Sequence, residues 1–251
     1  MNRRLCPLSW LALCLLAAGC ATSSTPVVVD CPTMGLKAMP RTEERQAFDA
    51  AGFSVEYPRG DHWCILRSDS AGLMLAKNPF GGRTLERAPS LDDATHTFGA
   101  MATTVILQGA PVSGVEGLRA FLDRSQQAGL PSSGVWGSYV LLDSRPPGYQ
   151  PGRVTLVSAT LDLVKIQGTD CVLSNRTSEE RDNPNQLAAG QVLILLERSW
   201  YCLIPGAPRA LWIMYSERYI KGSVPHPLLT EALQPEVEPF VQSLRVMAPP
   251  L

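Results

Sequence analysis

Three histidines and seven cysteines are the side chains in this 251-residue sequence best suited to acid–base, nucleophilic or metal chemistry. His62 and Cys64 stand two apart in Asp61-His62-Trp63-Cys64. A nucleophilic thiol needs a base within about 3 Å, whereas residues two apart on a strand hold their Cβ atoms roughly 6 to 7 Å apart. The spacing therefore predicts no Cys–His dyad. Asp92, Asp93 and His96 follow Ser90, and a helix starting at Ser90 would set Asp92 and His96 one turn apart. That pair could supply two metal ligands, but no third lies at a useful spacing, so a solvated helix face is expected and no metal site. His226, between Pro225 and Pro227, reads as an extended surface segment. The sequence contains no Gly-x-Ser-x-Gly elbow, phosphate-binding glycine loop, dinucleotide fingerprint or Cys-x2-Cys zinc spacing. We therefore expect no catalytic residues and no cofactor. A triad assembled from distant residues is defined by geometry and stays open as an alternative.

Two features suggest binding instead. The segment Asn175 to Gly190 holds Arg176, Glu179, Glu180 and Arg181 with almost no apolar residue, and reads as a long polar loop, either solvated or a binding loop. Its Asn175-Arg176-Thr177 matches a glycosylation acceptor, idle in a bacterial source. Trp136, Tyr149, Trp200, Tyr201 and Trp212 could line a groove; Trp212, inside an apolar strand, is expected in the core.

Composition narrows the class. The chain is 45% hydrophobic and 18% charged, which excludes a disordered or polytopic membrane protein. A formal net charge of −1 gives no reason to expect nucleic acid as a partner.

Arg3 and Arg4 precede an apolar run from Leu5 to Ala18, the layout of a signal peptide. About 14 residues at roughly 1.5 Å each span about 21 Å, short of the roughly 30 Å needed to cross a membrane. The run ends in Leu15-Leu16-Ala17-Ala18-Gly19-Cys20, which resembles the lipobox of bacterial lipoproteins. In that family the cysteine thiol receives a diacylglycerol and the chain is cut just before it. The resemblance implies a signal peptide over 1–19, lipidation at Cys20, and membrane partnership through the lipid. With Ala21 rather than Asp after the cysteine, it also implies the outer membrane, with the domain facing the periplasm. About 0.8 kcal/mol per buried methylene makes several acyl chains an almost irreversible anchor.

Without Cys6, Cys14 and the acylated Cys20, four cysteines remain: Cys31, Cys64, Cys171 and Cys202. An even number suits an oxidising compartment. Three pairings are possible; Cys31 with Cys64 and Cys171 with Cys202 is preferred because each joins sequence-near partners.

The Ser-, Thr- and Pro-containing residues 20–40 read as a lipidated tether, and 41–251 as one domain. Within it, Thr42 to Ala51 carries helix signals, with Thr42 as cap. Phe53, Val55 and Tyr57 alternate as a strand; Trp63–Arg67 and Leu73–Lys77 read as a hairpin, and Phe98–Leu107 as a strand. Ser113 to Ala128 is a helix, with Ser113 and Glu116 as a capping box and Val115, Leu118, Phe121 and Leu122 on one face. Tyr139–Asp143 reads as another strand. Val157, Ala159, Leu161 and Leu163 are expected to face the core, and Val192–Leu196 to be buried on both faces. Leu211, Ile213 and Tyr215 continue the sheet, and Val237, Phe240, Val241 and Leu244 define a last helix.

Strand runs flanked by helices predict an α+β fold, mainly an antiparallel sheet with helices against it. Phe53-Ser54-Val55-Glu56-Tyr57-Pro58, and a terminal helix running into Phe240 to Val246, resemble the two ends of PsbP-like domains. That resemblance implies an αβα sandwich, mostly without catalytic activity. The expected function is a membrane-anchored envelope lipoprotein that binds an envelope protein partner or supports an assembly. The alternative is a lipid-anchored periplasmic hydrolase with a motif-free Ser/Cys–His site.

Overall fold

The structure, a computed structural model, describes residues 27–28, 30–40, 47–50, 52–81, 83–85, 96–109, 111–128, 134–135, 138–142, 154–181, 190–223 and 227–247. Cys20, the signal segment, Asp92, Asp93, Trp136, Tyr149 and His226 lie outside them.

The elements run β1 (Val27–Val28), β2 (Lys37–Ala38), β3 (Ala47–Ala50), β4 (Phe53–Glu56), β5 (Trp63–Asp69), β6 (Gly72–Lys77), β7 (Thr84–Leu85) and β8 (Thr97–Gln108). Helix α1 (Gly114–Gln127) follows, then β9 (Gly134–Val135), β10 (Ser138–Leu142), β11 (Val154–Ile166), β12 (Thr169–Arg181), β13 (Val192–Leu203) and β14 (Arg209–Ile220). The chain closes with α2 (Leu229–Ala232), α3 (Gln234–Gln242) and β15 (Arg245–Val246).

The main sheet has the order β11-β12-β13-β14-β8-β6-β5-β2. Its pairings are antiparallel except for β10, which lies parallel to β8 beyond the end of β6 and carries β9. Strands β15, β4 and β3 form a second, small sheet. The β11–β12 hairpin turns on Gln167 and Gly168, both with positive φ, the twist a two-residue connection needs. Gly72 is a close-approach glycine: a Cβ there would stand 2.5 Å from the Ala102 carbonyl oxygen on the neighbouring strand.

Alternation along β14 explains the layering. Leu211, Ile213 and Tyr215 point to one face, where they meet Val237, Phe240 and Val241 of α3 and Phe53 and Val55 of β4. Ala210 and Trp212 point to the other, against Leu118, Phe121 and Leu122 of α1. Helices therefore cover both faces of the sheet, an α+β arrangement built as an αβα sandwich. No helix among the described residues is long and apolar enough to cross a membrane.

Several local expectations need correction. Ala47–Ala50 is a strand, not the end of a helix. Phe48 packs against Phe53 at 6.2 Å and Tyr57 at 6.5 Å, a cross-strand cluster that outweighs the local helix signals. Helix α1 buries the expected Leu118, Phe121 and Leu122, but Ser113 makes no capping hydrogen bond with its side chain. Gly114 enters at φ +65°, turning the chain so that the Ser113 hydroxyl misses the first turn. In β11, Ala159 and Leu161 are half-buried, whereas Val157, skipped at a register shift between Leu156 and Ser158, and Leu163 are exposed. A bulge changes which face each later residue occupies. The Val192–Leu196 run is half-buried except for Leu193, and β13 is buried on both faces only from Ser199 to Cys202. There α1 and the Cys171–Cys202 bridge cover it from opposite sides.

The segment expected as a tether is paired with the domain from Val27: β1 pairs with β7, β2 pairs with β5, and Cys31 is bonded to Cys64.

Candidate binding groove

Both preferred disulfides form. Cys31 bonds Cys64, with Cα atoms 5.4 Å apart, and Cys171 bonds Cys202 directly across β12 and β13, with Cα atoms 4.3 Å apart. Cys64 is thus half of a buried crosslink, and His62 stands in a positive-φ turn.

The proposed loop residues lie elsewhere than expected. Arg176, Glu179, Glu180 and Arg181 belong to β12, which continues to Arg181 because β13 pairs with it along that whole length. Glu179 accepts from Arg181 at 2.7 Å and Lys221 at 2.5 Å; Glu180 pairs with Arg218 at 3.5 Å. Lys221, then Arg181, hold the Glu179 carboxyl below its ordinary range through hydrogen bonds and charge. Polarity suggested a loop, but Glu179 and Glu180 are paired with Lys221 and Arg218, Arg181 pairs with Glu179 on its own strand, and Arg176 donates to the Ser178 hydroxyl and lines the outer cavity of the groove.

His96 is not helical and lies immediately before β8; its expected partner Asp92 is outside the described residues. Its Nε2 stands 2.6 Å from Oε1 of Glu217, a fully buried carboxylate that also accepts from the backbone N–H and hydroxyl of Thr230 at 2.8 and 3.0 Å. His96 lines a cleft of about 420 Å³ with Phe98, Leu229 and Leu233 at its apolar side and Lys77 and Arg83 among its polar lining. No Ser or Cys hydrogen-bonds to His96 among the described residues, and none of them assemble a group of three or more metal-ligating side chains.

Trp200, Tyr201 and Trp212 are core residues. Tyr201 stacks on Trp212 at 5.8 Å, and the Trp212 indole donates to the Ser199 hydroxyl at 3.0 Å. Ser199 in turn donates to the buried Glu197 carboxylate at 2.6 Å.

A groove runs between the α3-side face of the sheet and the C-terminal helices. It consists of two cavities, about 240 and 350 Å³, that share Arg198, Tyr215 and Gln234. Val164, Leu173 and Trp200 give the inner cavity apolar walls; Thr160, Asn175 and Thr230 line the outer one. The Arg198 guanidinium lies over the Trp200 ring, 5.3 Å from its centroid. Its Nε is buried with no hydrogen-bond partner. Burial pushes the Tyr215 phenol upward, and the positive charge of Arg198 opposes that shift. Sequence reading missed Arg198; its signal was the Arg198-x-Trp200 spacing on a strand, which sets both side chains on one face.

The fold is similar to that of the Saccharomyces cerevisiae Ran-binding protein Mog1p, with 10% sequence identity, a TM-score of 0.39, and coverage of 82% of this chain and 96% of that one. No protein-family model and no curated protein matches the chain.

Proposed function

We propose that the protein is a bacterial envelope lipoprotein, held through lipids on Cys20 to the outer membrane and facing the periplasm, whose α+β domain binds an envelope partner without catalysis. The anchor rests on the charged start, the short apolar run and the small residues before Cys20. Two disulfides, each joining sequence-near cysteines, suit an oxidising compartment.

The observation that carries the binding role is the groove between the sheet and the C-terminal helices. It offers an open, mixed polar and apolar surface on rigid elements. The hydrolase alternative requires a nucleophile beside a histidine; Glu217 engages only the Nε2 of His96, and no Ser or Cys among the described residues hydrogen-bonds to that ring.

A photo-crosslinking residue at Gln234 of the native anchored protein tests this reading. A reproducible adduct with one envelope component is expected; no adduct above that from a distant surface position contradicts it.

A further inference from the structure

Strand β11 stands at one edge of the main sheet: β12 pairs along its length, and no described strand pairs with its other side. A free edge of this length is a template for another strand, and edges that stay single are blocked by charge, proline or a bulge. Here the blocks stand at the two ends. The register shift beside Val157 breaks the ladder near one, and Lys165, ion-paired with Asp170, stands near the other. Between them, the window from Val157 to Leu163 carries a single charge, Asp162.

Within that window the strand is amphipathic. Leu161 packs against the α1-side core, and alternation counted along the window places Val157, Ala159 and Leu163 with it. Val157 and Leu163 are 57% and 41% exposed. Ser158, Thr160 and Asp162 alternate onto the other face, where they too are exposed. Ile166 and Thr169 close a two-residue turn and so form a hydrogen-bonded pair. Counting back from that pair, Ala159, Leu161 and Leu163 direct their backbone N–H and C=O groups to the free edge.

We infer that β11 is a homodimer interface, in which this window pairs antiparallel with its own copy about a two-fold axis at Thr160. That register sets Val157 opposite Leu163 of the second copy, and Ala159 opposite its Leu161. The exposed apolar residues then cover one another, and the outward backbone groups meet. Asp162 falls opposite Ser158, and Thr160 opposite itself, where the hydroxyl that accepts from Asn175 at 3.3 Å can still donate. Other registers lose this match. An axis between two residues sets the polar face against the apolar one; an axis at Leu161 sets Val157 against Lys165, and one at Asp162 brings two carboxylates together. An axis at Ala159 or earlier runs the pairing into the register shift and shortens it. A two-fold interface must match itself, so this self-complementarity selects a second copy as the occupant. A pairing of this length is small, so the dimer forms where chains are concentrated and dissociates at the dilution of an unfolding measurement. The inference rests on neither the groove nor the lipid anchor.

The test uses the full chain as isolated from the cells that make it, kept concentrated under mild oxidation. Opposed residues of a non-hydrogen-bonded pair have Cα atoms about 4.5 Å apart, within disulfide reach, and Thr160 on the axis forms such a pair. Thr160→Cys is expected to give a disulfide-linked dimer, with the peptide containing position 160 joined to its own copy in mass spectrometry. Asp162→Cys is the equally exposed control. Its two copies would stand roughly 14 Å apart, and it should give about tenfold less dimer. A mixture of Ser158→Cys and Asp162→Cys chains should crosslink as Thr160→Cys does. Adding Ala159→Pro to Thr160→Cys removes an N–H that faces solvent in the monomer and pairs only in the dimer. The near-ultraviolet circular dichroism and both native disulfides should persist while the dimer is lost. Equal yields from Thr160→Cys and Asp162→Cys, no linked dimer from Thr160→Cys, capture of a different protein in its place, or a dimer that survives Ala159→Pro would each overturn the inference.

Discussion

The imidazole Nε2 of His96 and the Oε1 of Glu217 stand 2.6 Å apart, joining the entry of β8 to a carboxylate inside β14. Glu217 also holds the first turn of α2 through Thr230, so one buried carboxylate ties together two strands and the helix that lines the groove. A buried carboxylate is tolerable only when its oxygens are satisfied, and these are satisfied by three donors.

Glu217→Ala leaves the Thr230 and His96 donors without their acceptor. We expect a loss of about 3 kcal/mol in urea unfolding. The double variant with His96→Ala should cost less than the sum of the two single changes, because both remove one interaction. Strict additivity contradicts the coupling.

The Cys171–Cys202 bridge closes a loop with a sequence separation of 31, and Cys31–Cys64 one of 33. The chain-entropy estimate gives each about 3 to 4 kcal/mol. Replacing both members of either pair by Ser should lower the unfolding free energy by that order. Mass spectrometry of the non-reduced protein should show 31 linked to 64 and 171 to 202; any other pairing contradicts the arrangement.

Glu179 titrates below its ordinary range because Lys221 and Arg181 hydrogen-bond to its charged form. Its folded pKa lies below the unfolded value of about 4.3. The stabilisation is therefore complete above that unfolded value and fades as pH falls through the folded one. Glu179→Gln should be less stable than wild type at neutral pH, with the difference shrinking as pH falls below about 4.3 and lost once Glu179 is protonated in the folded protein. A difference that does not change with pH contradicts the assignment.

Phe121 of α1 is fully buried against the sheet, whereas Val157 is exposed beside the bulge in β11. Phe121→Ala should cost about 3 to 5 kcal/mol. Val157→Thr should change stability by no more than about 0.5 kcal/mol. Comparable losses at the two sites contradict the assigned burial.

What the sequence made legible was decided by periodicity. The hairpin of β5 and β6, the long β8, the buried face of α1 and the Val237–Phe240–Val241 stripe of α3 each carry a clear alternation or helical spacing. The pairing of Cys171 with Cys202 followed from proximity along the chain. Ala47–Ala50 was misread because its local helix signals yield to a cross-strand aromatic cluster that depends on Phe53 and Tyr57. The end of β12 was misread because its charges are paired with Arg218 and Lys221 of the distant β14 end, contacts that only the folded sheet creates. Groove residues left little trace for the same reason: Arg198, Tyr215 and Gln234 come from three elements and meet only after folding.

The proposed role depends on attachment of this domain to a membrane through Cys20, itself a proposal. Metabolic labelling of the native protein and of Cys20→Ser with a radiolabelled fatty acid, followed by mass spectrometry of the amino-terminal peptide, addresses it most directly. Wild type should incorporate label and begin at an acylated Cys20, and the variant should incorporate none; undiminished label in the variant, or a native chain beginning at another residue, would contradict the account.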